Sequence, residues 1–296
     1  MNIAIIGASG FVGKNLIKYL LENTDYNIFA ISHNQNNNFI ENKYKERIKK
    51  IRANVFNYDD IKNALTDIDV AYYLVHMMAS DKNDFYNKEA LAADIVGRAL
   101  QSENVKRIIY MSGLGNDKEK LSLHLSSRHN TGDILRKYNN EVIEFRASMI
   151  IGEGSISFEI IKNLINKSPI ITLPKWANTK TQPIGIDDVL LYLKESINIK
   201  INSSKIIEIG GKDIMSYEDF LKKYAKFRNK KTIIIRIPIL PEKIAGLFLN
   251  LFTSKEQANV GNCMLGSFRN EMIVTNTRCK ELFPDISPKK IEESFR

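Results

Sequence analysis

His124 precedes Arg128 by four residues in the stretch SLHLSSRH, positions 122–129, a spacing that puts two side chains on one face of a helix. An imidazole exchanges protons near neutral pH, whereas a guanidinium stays charged and presents a rigid fork of donors. The pair is equipped to handle protons, to hold a phosphate or ribose, or simply to open a helix with polar residues. A second set lies near the amino end. In IAIIGASGFVGKNLIKYL, Gly7, Gly10 and Gly13 fall where a strand-like apolar run turns into a helical pattern. Glycines placed there permit a tight turn, close approach of backbone to a pyrophosphate and close helix packing, while the helix start supplies unpaired N–H groups. Gly7, Ala8, Ser9, Gly10, Phe11, Val12 and Gly13 are accordingly read as a dinucleotide phosphate cradle.

Such residues need a scaffold. Short apolar runs (NIAIIG, NIFAIS, DVAYYLVH, KRIIYMSG, EVIEFRAS) alternate with helical patterns such as FVGKNLIKYLLEN and DFYNKEALAADIVGRALQSEN. Strands alternating with helices of this length imply βαβ units. The strands are apolar at consecutive positions, as strands covered on both faces are. The expected fold is α/β, a Rossmann-type doubly wound parallel sheet with a smaller C-terminal substrate lobe. A third strand is expected near Lys50–Phe56. The alternation loosens after about residue 152, which suggests an NAD(P)-binding core over 1–152 and, over 153–296, a sheet extension plus a substrate or partner lobe, joined as one integrated unit.

The 296 residues are ample for a large core, and 43 basic against 34 acidic residues give a net charge of +9. The densest basic runs, KYKERIKKIR and KKYAKFRNKK, are interleaved with acidic or aromatic residues. They read as solvated faces, and no nucleic-acid partner is expected. Cys263 and Cys279 are too few and too far apart for a metal knuckle or a redox pair, and the four histidines lack the paired spacing of a zinc site. No metal is expected. The chain starts directly on a strand pattern, and its most apolar late stretch is broken by Arg236, Glu242, Lys243 and two prolines, so neither a leader nor a membrane insertion is expected. The expected location is the cytoplasm.

Cofactor choice turns on the end of the second strand, where an acidic residue would hold the ribose 2′-hydroxyl of NAD. The stretch AISHNQNNN has none. Ser32, His33 and Asn34, with Ser9, could instead donate to a 2′-phosphate, so NADP is favoured and NAD stays possible, since no arginine follows the strand.

GASGFVG, DVAYYLVHMM, RIIYMSGLGNDKEKLSLHLSSRHNTGDIL, EFRASMIIGEGSISFEIIKNL and TQPIGIDDVLLYL together resemble the atypical short-chain dehydrogenase/reductase superfamily, and more narrowly its NmrA-like NAD(P)H-binding bacterial branch. The resemblance covers at least residues 1–195. In catalytic members a Ser at the end of the fifth strand holds the substrate carbonyl, and a Tyr four residues before a Lys transfers the proton. Ser112 matches that serine. His124 and Arg128 stand where the Tyr and Lys would be.

A tyrosine needs a neighbouring cation to work near neutral pH and a histidine does not, so His124 could replace the proton donor. Arg128 could replace the lysine as a ribose or phosphate ligand, although not in a relay that requires deprotonation. The double change equally suits a cofactor binder without catalysis. The resemblance also implicates Asn54 and Val55 around the adenine, Leu74, Val75 and His76 along the cofactor path, and Ala147, Met149 and Ile150 at the nicotinamide ribose and amide. Apolar residues at strand ends are also ordinary core, and His76 could be a satisfied buried histidine. Gln182 and Pro183 are expected on the substrate side. Asp187 and Asp188 are expected to cap a helix, and Met77, Met78 and Trp176 to form apolar pocket walls or core.

Two functions follow. One is an NADP(H)-dependent oxidoreductase acting on a small carbonyl or related substrate, with Ser112 orienting the oxygen and His124 handling the proton. The other is a non-catalytic NADP(H)-binding redox sensor or assembly factor whose partner is a protein.

Overall fold

The computed structural model describes residues 1–33, 42–77, 84–237 and 253–295. Asn34 and Met78 lie outside them. The frame is a seven-stranded parallel sheet built from β1 (Asn2–Ile6), β2 (Asn27–Ser32), β3 (Ile48–Arg52), β4 (Val70–Tyr73), β5 (Arg107–Gly113), β6 (Val142–Ala147) and β11 (Lys205–Ile209), in the order β11-β6-β5-β4-β1-β2-β3. The direction of winding reverses between β1 and β4. Open α/β sheets bind ligands outside the carboxyl ends of the strands at such a switch point.

Alternation along each strand feeds two cores. Ile3, Ile5, Tyr72, Ile109 and Ile143 point to the face covered by α1 (Phe11–Asn23) and α6 (Ile186–Glu195), through Leu16, Ile17, Leu20, Val189 and Leu193. Ala4, Ile6, Ala71, Tyr73, Ile108 and Tyr110 point to the other. That side is covered by α2 (Tyr58–Ala64), α3 (Phe85–Ser102) and α4 (Leu123–Tyr138). Both faces are dry, β4 and β6 being buried at every position, so β4 is apolar throughout and the two charges of β6, Glu144 and Arg146, pair with each other at 2.7 Å.

The third strand ends earlier than expected, at Arg52 rather than Phe56. Asn54 takes the Phe56 amide on its side-chain oxygen at 3.1 Å, and Asn57 caps α2 by accepting the Asp59 and Asp60 amides. Side chains that bond neighbouring backbone pull the chain out of the ladder. The aspartate expectation is also corrected. Gly185 occupies the N-cap of α6, and Asp187 and Asp188 sit inside its first turn. The Asp188 side chain instead accepts the Lys289 amide at 3.0 Å.

Beyond β6 the chain adds the short strand β7 (Ile150–Ile151), α5 (Ile156–Lys167) and β8 (Ile170–Pro174). Two-residue strands β9 (Lys180–Thr181), β10 (Ile184–Gly185) and β12 (Met215–Ser216) follow, with α7 (Tyr217–Phe227), β13 (Ile233–Ile237) and α8 (Lys255–Met264). These elements close a third core around Phe158, Phe220, Tyr224 and Phe295. No described helix is long and apolar enough to cross a membrane.

Candidate nucleotide-binding and proton-handling site

The turn after β1 is held by backbone. The Gly7 and Ala8 amides both donate to the Ile31 carbonyl, at 3.0 and 3.1 Å, and Gly10 N donates to Gly7 O at 3.0 Å. Gly7 adopts φ +96°, a left-handed conformation costly for any residue with a Cβ. A Cβ there would lie 2.8 Å from the Leu74 carbonyl, and one on Gly13 would lie 2.5 Å from Gly7 O. The N-cap of α1 is Gly10, with no side-chain cap and no acidic residue in the first turn. Uncapped amides and the positive end of the helix dipole therefore face an opening that only glycines leave clear, which fits a pyrophosphate. Ser9 and Gly10 are exposed at its rim, and Phe11 packs beside Gly152 and Gly154.

The other expected cofactor residues line the same carboxyl edge. Leu74 continues β4 by donating its amide to Ile6 O at 2.8 Å. Ala147 O accepts the Leu114 amide at 2.8 Å and Met149 O the Ile184 amide at 3.0 Å, while Ile150 pairs with Ile184. Ser32 is buried and His33 exposed at the end of β2. Asn54 and Val55 follow β3, with Val55 packed against the second core. Arg52 is exposed at the end of β3, level with Ser32 in the β2–β3 pairing.

Ser122, rather than His124, opens α4: its Oγ accepts the Leu125 amide at 3.2 Å. This sets His124 on the second helical residue, facing the end of β4. His76 has both ring nitrogens partnered, but part of its ring reaches the surface. It lies just past β4 and meets His124 edge to edge, ring centres 5.2 Å apart and planes 24° from parallel, with the two Nε2 atoms 3.2 Å apart. The other face of His124 meets Ser267, whose Oγ lies 3.0 Å from Nδ1.

Arg128 is buried. Its guanidinium donates to Val75 O at 2.9 Å and to Met111 O, lies 4.9 Å above the Tyr110 ring and 3.6 Å from Glu89. It clamps the ends of β4 and β5 rather than projecting into the cleft. Ser112, near the end of β5, is buried with its hydroxyl unpartnered among the described residues.

Glu89 and Ser267 are functional-site residues that sequence reasoning missed. Glu89, 2% exposed, receives His76 Nδ1 at 2.7 Å, Met77 N at 3.1 Å and Ser127 Oγ at 2.5 Å. A signal existed: Glu89 shares a helical face with Ala92, Ala93 and Val96 in FYNKEALAADIVGRAL, and a carboxylate in an apolar stripe must have partners. Nothing comparable marks Ser267, which is brought to His124 across 143 residues of chain.

Burial and the adjacent His76 ring push His124 down to about 3, and burial followed by the charge of Arg128 lowers His76. Burial works against ionisation of Glu89, yet the His76 hydrogen bond and the Arg128 charge hold it well below the usual carboxyl range. The unfolded chain takes up protons on histidine near 6.5 and on glutamate near 4.5 while the folded site does not. Stability is thus complete above pH 6.5 and falls on acidification, through the histidines first and Glu89 next. Urea midpoints measured from pH 7.5 to 4 are expected to decline steadily, with a shallower decline above pH 4.5 in His124→Gln.

A cavity of about 140 Å³ adjoins the cluster, lined by Met149, Ile160, Leu164, Trp176, Tyr217 and Phe268 among others. Trp176 stacks on Phe268 at 5.5 Å, and its indole Nε1 is buried without a partner among the described residues. Leu265 and Phe268 face the cavity from the 3₁₀ turn Leu265–Arg269, the same turn that aims Ser267 at His124. Met77 is not part of the lining. Gln182 is occupied elsewhere, bridging Gly211 O at 2.7 Å and Val274 N at 2.9 Å.

Residues 7–149, which hold the glycine turn, His76, Ser112, His124 and Arg128, match a family model described as NAD(P)H-binding. The matched stretch carries the five strands β2–β6 and the helices between them, most of the parallel sheet. An NAD(P) cofactor agrees with that description and with the open glycine turn. In sequence it is 27% identical over 125 residues to the auxiliary protein GraX of Staphylococcus aureus. That match covers 40% of this chain and 38% of that protein, so the chain spans well under half of the relative's length. In fold it is similar to triphenylmethane reductase of Citrobacter sp. complexed with NADP(H), with TM-score 0.74 and 14% identity over 100% of this chain and 99% of that one. MoeE5 in complex with UDP-glucuronic acid and NAD is similar too, with TM-score 0.75 and 13% identity over 100% and 96% of the two chains.

Proposed function

We propose that this protein is an NADP(H)-dependent oxidoreductase acting in the cytoplasm on a small, largely apolar carbonyl compound or related unsaturated molecule. The observation that carries the reading is the shared 3₁₀ turn, which joins an apolar cavity to a histidine at the position of the superfamily's proton donor. When bound, the nicotinamide nucleotide supplies the hydride. The glycine turn would hold the pyrophosphate, and Ala147, Met149 and Ile150 would shape the ribose and amide end. Ser112, with a buried hydroxyl lacking a partner, would orient the substrate oxygen, and His124 would exchange the proton. Arg128 would support the site by fixing two strand ends.

Preference for the 2′-phosphate rests on the missing acidic residue after β2 and on Arg52, an exposed cation level with Ser32. Fluorescence titrations are expected to show NADPH binding more tightly than NADH. Arg52→Ala should weaken NADPH by about tenfold and leave NADH unchanged, the loss of one charge-assisted phosphate contact. Turnover is tested with a panel of apolar aldehydes, ketones and enones, where His124→Ala should lower kcat about 100-fold or more. Equal NADPH and NADH affinities would refute the cofactor preference.

A non-catalytic NADP(H)-binding sensor or assembly factor, of the NmrA-like kind, is favoured by one observation. The residue at the lysine position, Arg128, is tied up in backbone carbonyls. Tight NADPH binding with no turnover across the panel, in wild type and His124→Ala alike, would establish that reading instead.

A further inference from the structure

The hydrogen bonds around His124 have one consistent direction. The Glu89 carboxylate only accepts, so the hydrogen of His76 is on Nδ1, 2.7 Å away, and its Nε2 is a bare acceptor. That nitrogen lies 3.2 Å from His124 Nε2, which must then carry the hydrogen, leaving His124 Nδ1 to accept from the Ser267 hydroxyl at 3.0 Å. Ser122 and Ser267 are 2.8 Å apart, and because the Ser122 oxygen already accepts the Leu125 amide, its hydrogen is free to go to Ser267. Every link has one donor and one acceptor, running Ser122, Ser267, His124, His76, Glu89. With the opposite tautomer of His124, two in-plane lone pairs would face each other where the ring edges meet.

We infer that Glu89 and His76 are positioning residues that make His124 a proton acceptor with a store behind it. A proton taken up at the half-buried Ser122 oxygen sends that hydroxyl's own hydrogen to Ser267, and the Ser267 O–H bond breaks as an N–H bond forms at His124 Nδ1, so both serines end as neutral hydroxyls. The His124 Nε2–H bond breaks as an N–H bond forms at His76 Nε2. The positive charge comes to rest on His76, hydrogen-bonded to an ionised Glu89, and the reverse sequence returns the proton. Among the described residues, the charged and titratable groups facing the pair are Glu89 from α3 and Arg128 and His129 from α4. Arg128 opposes a lasting positive charge, so the stored proton is a transient one. This inference rests on the proposed oxidoreductase reading for its use, although not for its geometry.

The test is nitrogen NMR of the full-length protein labelled with ¹⁵N in its four histidine rings, assigned with single His→Gln variants. At pH 7, His76 is expected as the Nδ1–H tautomer and His124 as the Nε2–H tautomer, each fixed, and on acidification the two should respond together rather than one by one. Glu89→Leu combined with Arg128→Met, which removes the acceptor without stranding a charge, should abolish the fixed tautomer of His124, which Glu89 does not touch, while leaving His129 unchanged as a check on folding. Ser267→Ala, a second variant that leaves Glu89 in place, should keep His76 fixed and alter only His124. Independent titration of the two rings, or a His124 tautomer indifferent to both variants, would overturn the relay. NADPH fluorescence, read on the same samples, separates the outcomes: binding with unlinked rings removes the relay alone, and linked rings without binding remove the oxidoreductase reading alone.

Discussion

Gly13→Val is expected to reduce NADPH affinity at least 100-fold in a fluorescence titration, about 2.7 kcal/mol, with the folded state retained by circular dichroism. Even the first carbon of the new side chain would sit 2.5 Å from Gly7 O and 3.0 Å from the Ala8 Cα. Both obstacles are backbone, so no rotamer relieves the clash, and α1 has to move away from β1. The amides at its start would then no longer meet a pyrophosphate. Gly7→Ala should do comparable harm by a second route, since it forces a Cβ onto a residue at φ +96° and against the Leu74 carbonyl. Retained affinity in both variants would mean that the nucleotide is held somewhere else.

The largest loss of stability is expected from Glu89→Ala, about 3–5 kcal/mol in urea denaturation, the cost of leaving a buried partner charge uncompensated. Arg128, 5% exposed, would lose the carboxylate 3.6 Å away, and His76, Ser127 and the Met77 amide would lose an acceptor. Arg128→Met combined with Glu89→Leu should recover much of the deficit, because removing both charges leaves no unpaired ion. If the single change costs under 1 kcal/mol, water reaches Glu89 and Arg128 freely and the two are not the buried ion pair described above.

The frame was largely legible in the residues themselves. Runs of consecutive apolar residues announce a sheet covered on both sides, as Ile3–Ile6 of β1, all of β4 and Ile108–Met111 of β5 do, whereas β6 buries Glu144 and Arg146 within its run. Glycine spacing after β1 pointed to the nucleotide cradle because its physics is local: one turn, one helix start. The limits were local too. The asparagines at 54 and 57 stopped β3 early by capping their own neighbours, a competition that hydrophobic pattern does not register. The working cluster was half legible. His124 and Arg128 were visible as an i, i+4 pair, but the meaning of each came from partners far along the chain, Ser267 for one and the carbonyls of Val75 and Met111 for the other. Tertiary contacts of that kind leave no periodic trace, and His76 in particular takes its role entirely from Glu89 and His124.

Arg128 also bears on how fast a nucleotide could enter. One planar, fivefold donor fastens the carboxyl ends of two adjacent strands, so the crevice mouth has its spacing set before any guest arrives. A receptor whose jaws are already braced surrenders little conformational freedom on capture. Encounter should accordingly be governed by diffusion and charge rather than by a slow opening step, giving a single kinetic phase in stopped-flow mixing with NADPH whose rate rises linearly with nucleotide concentration.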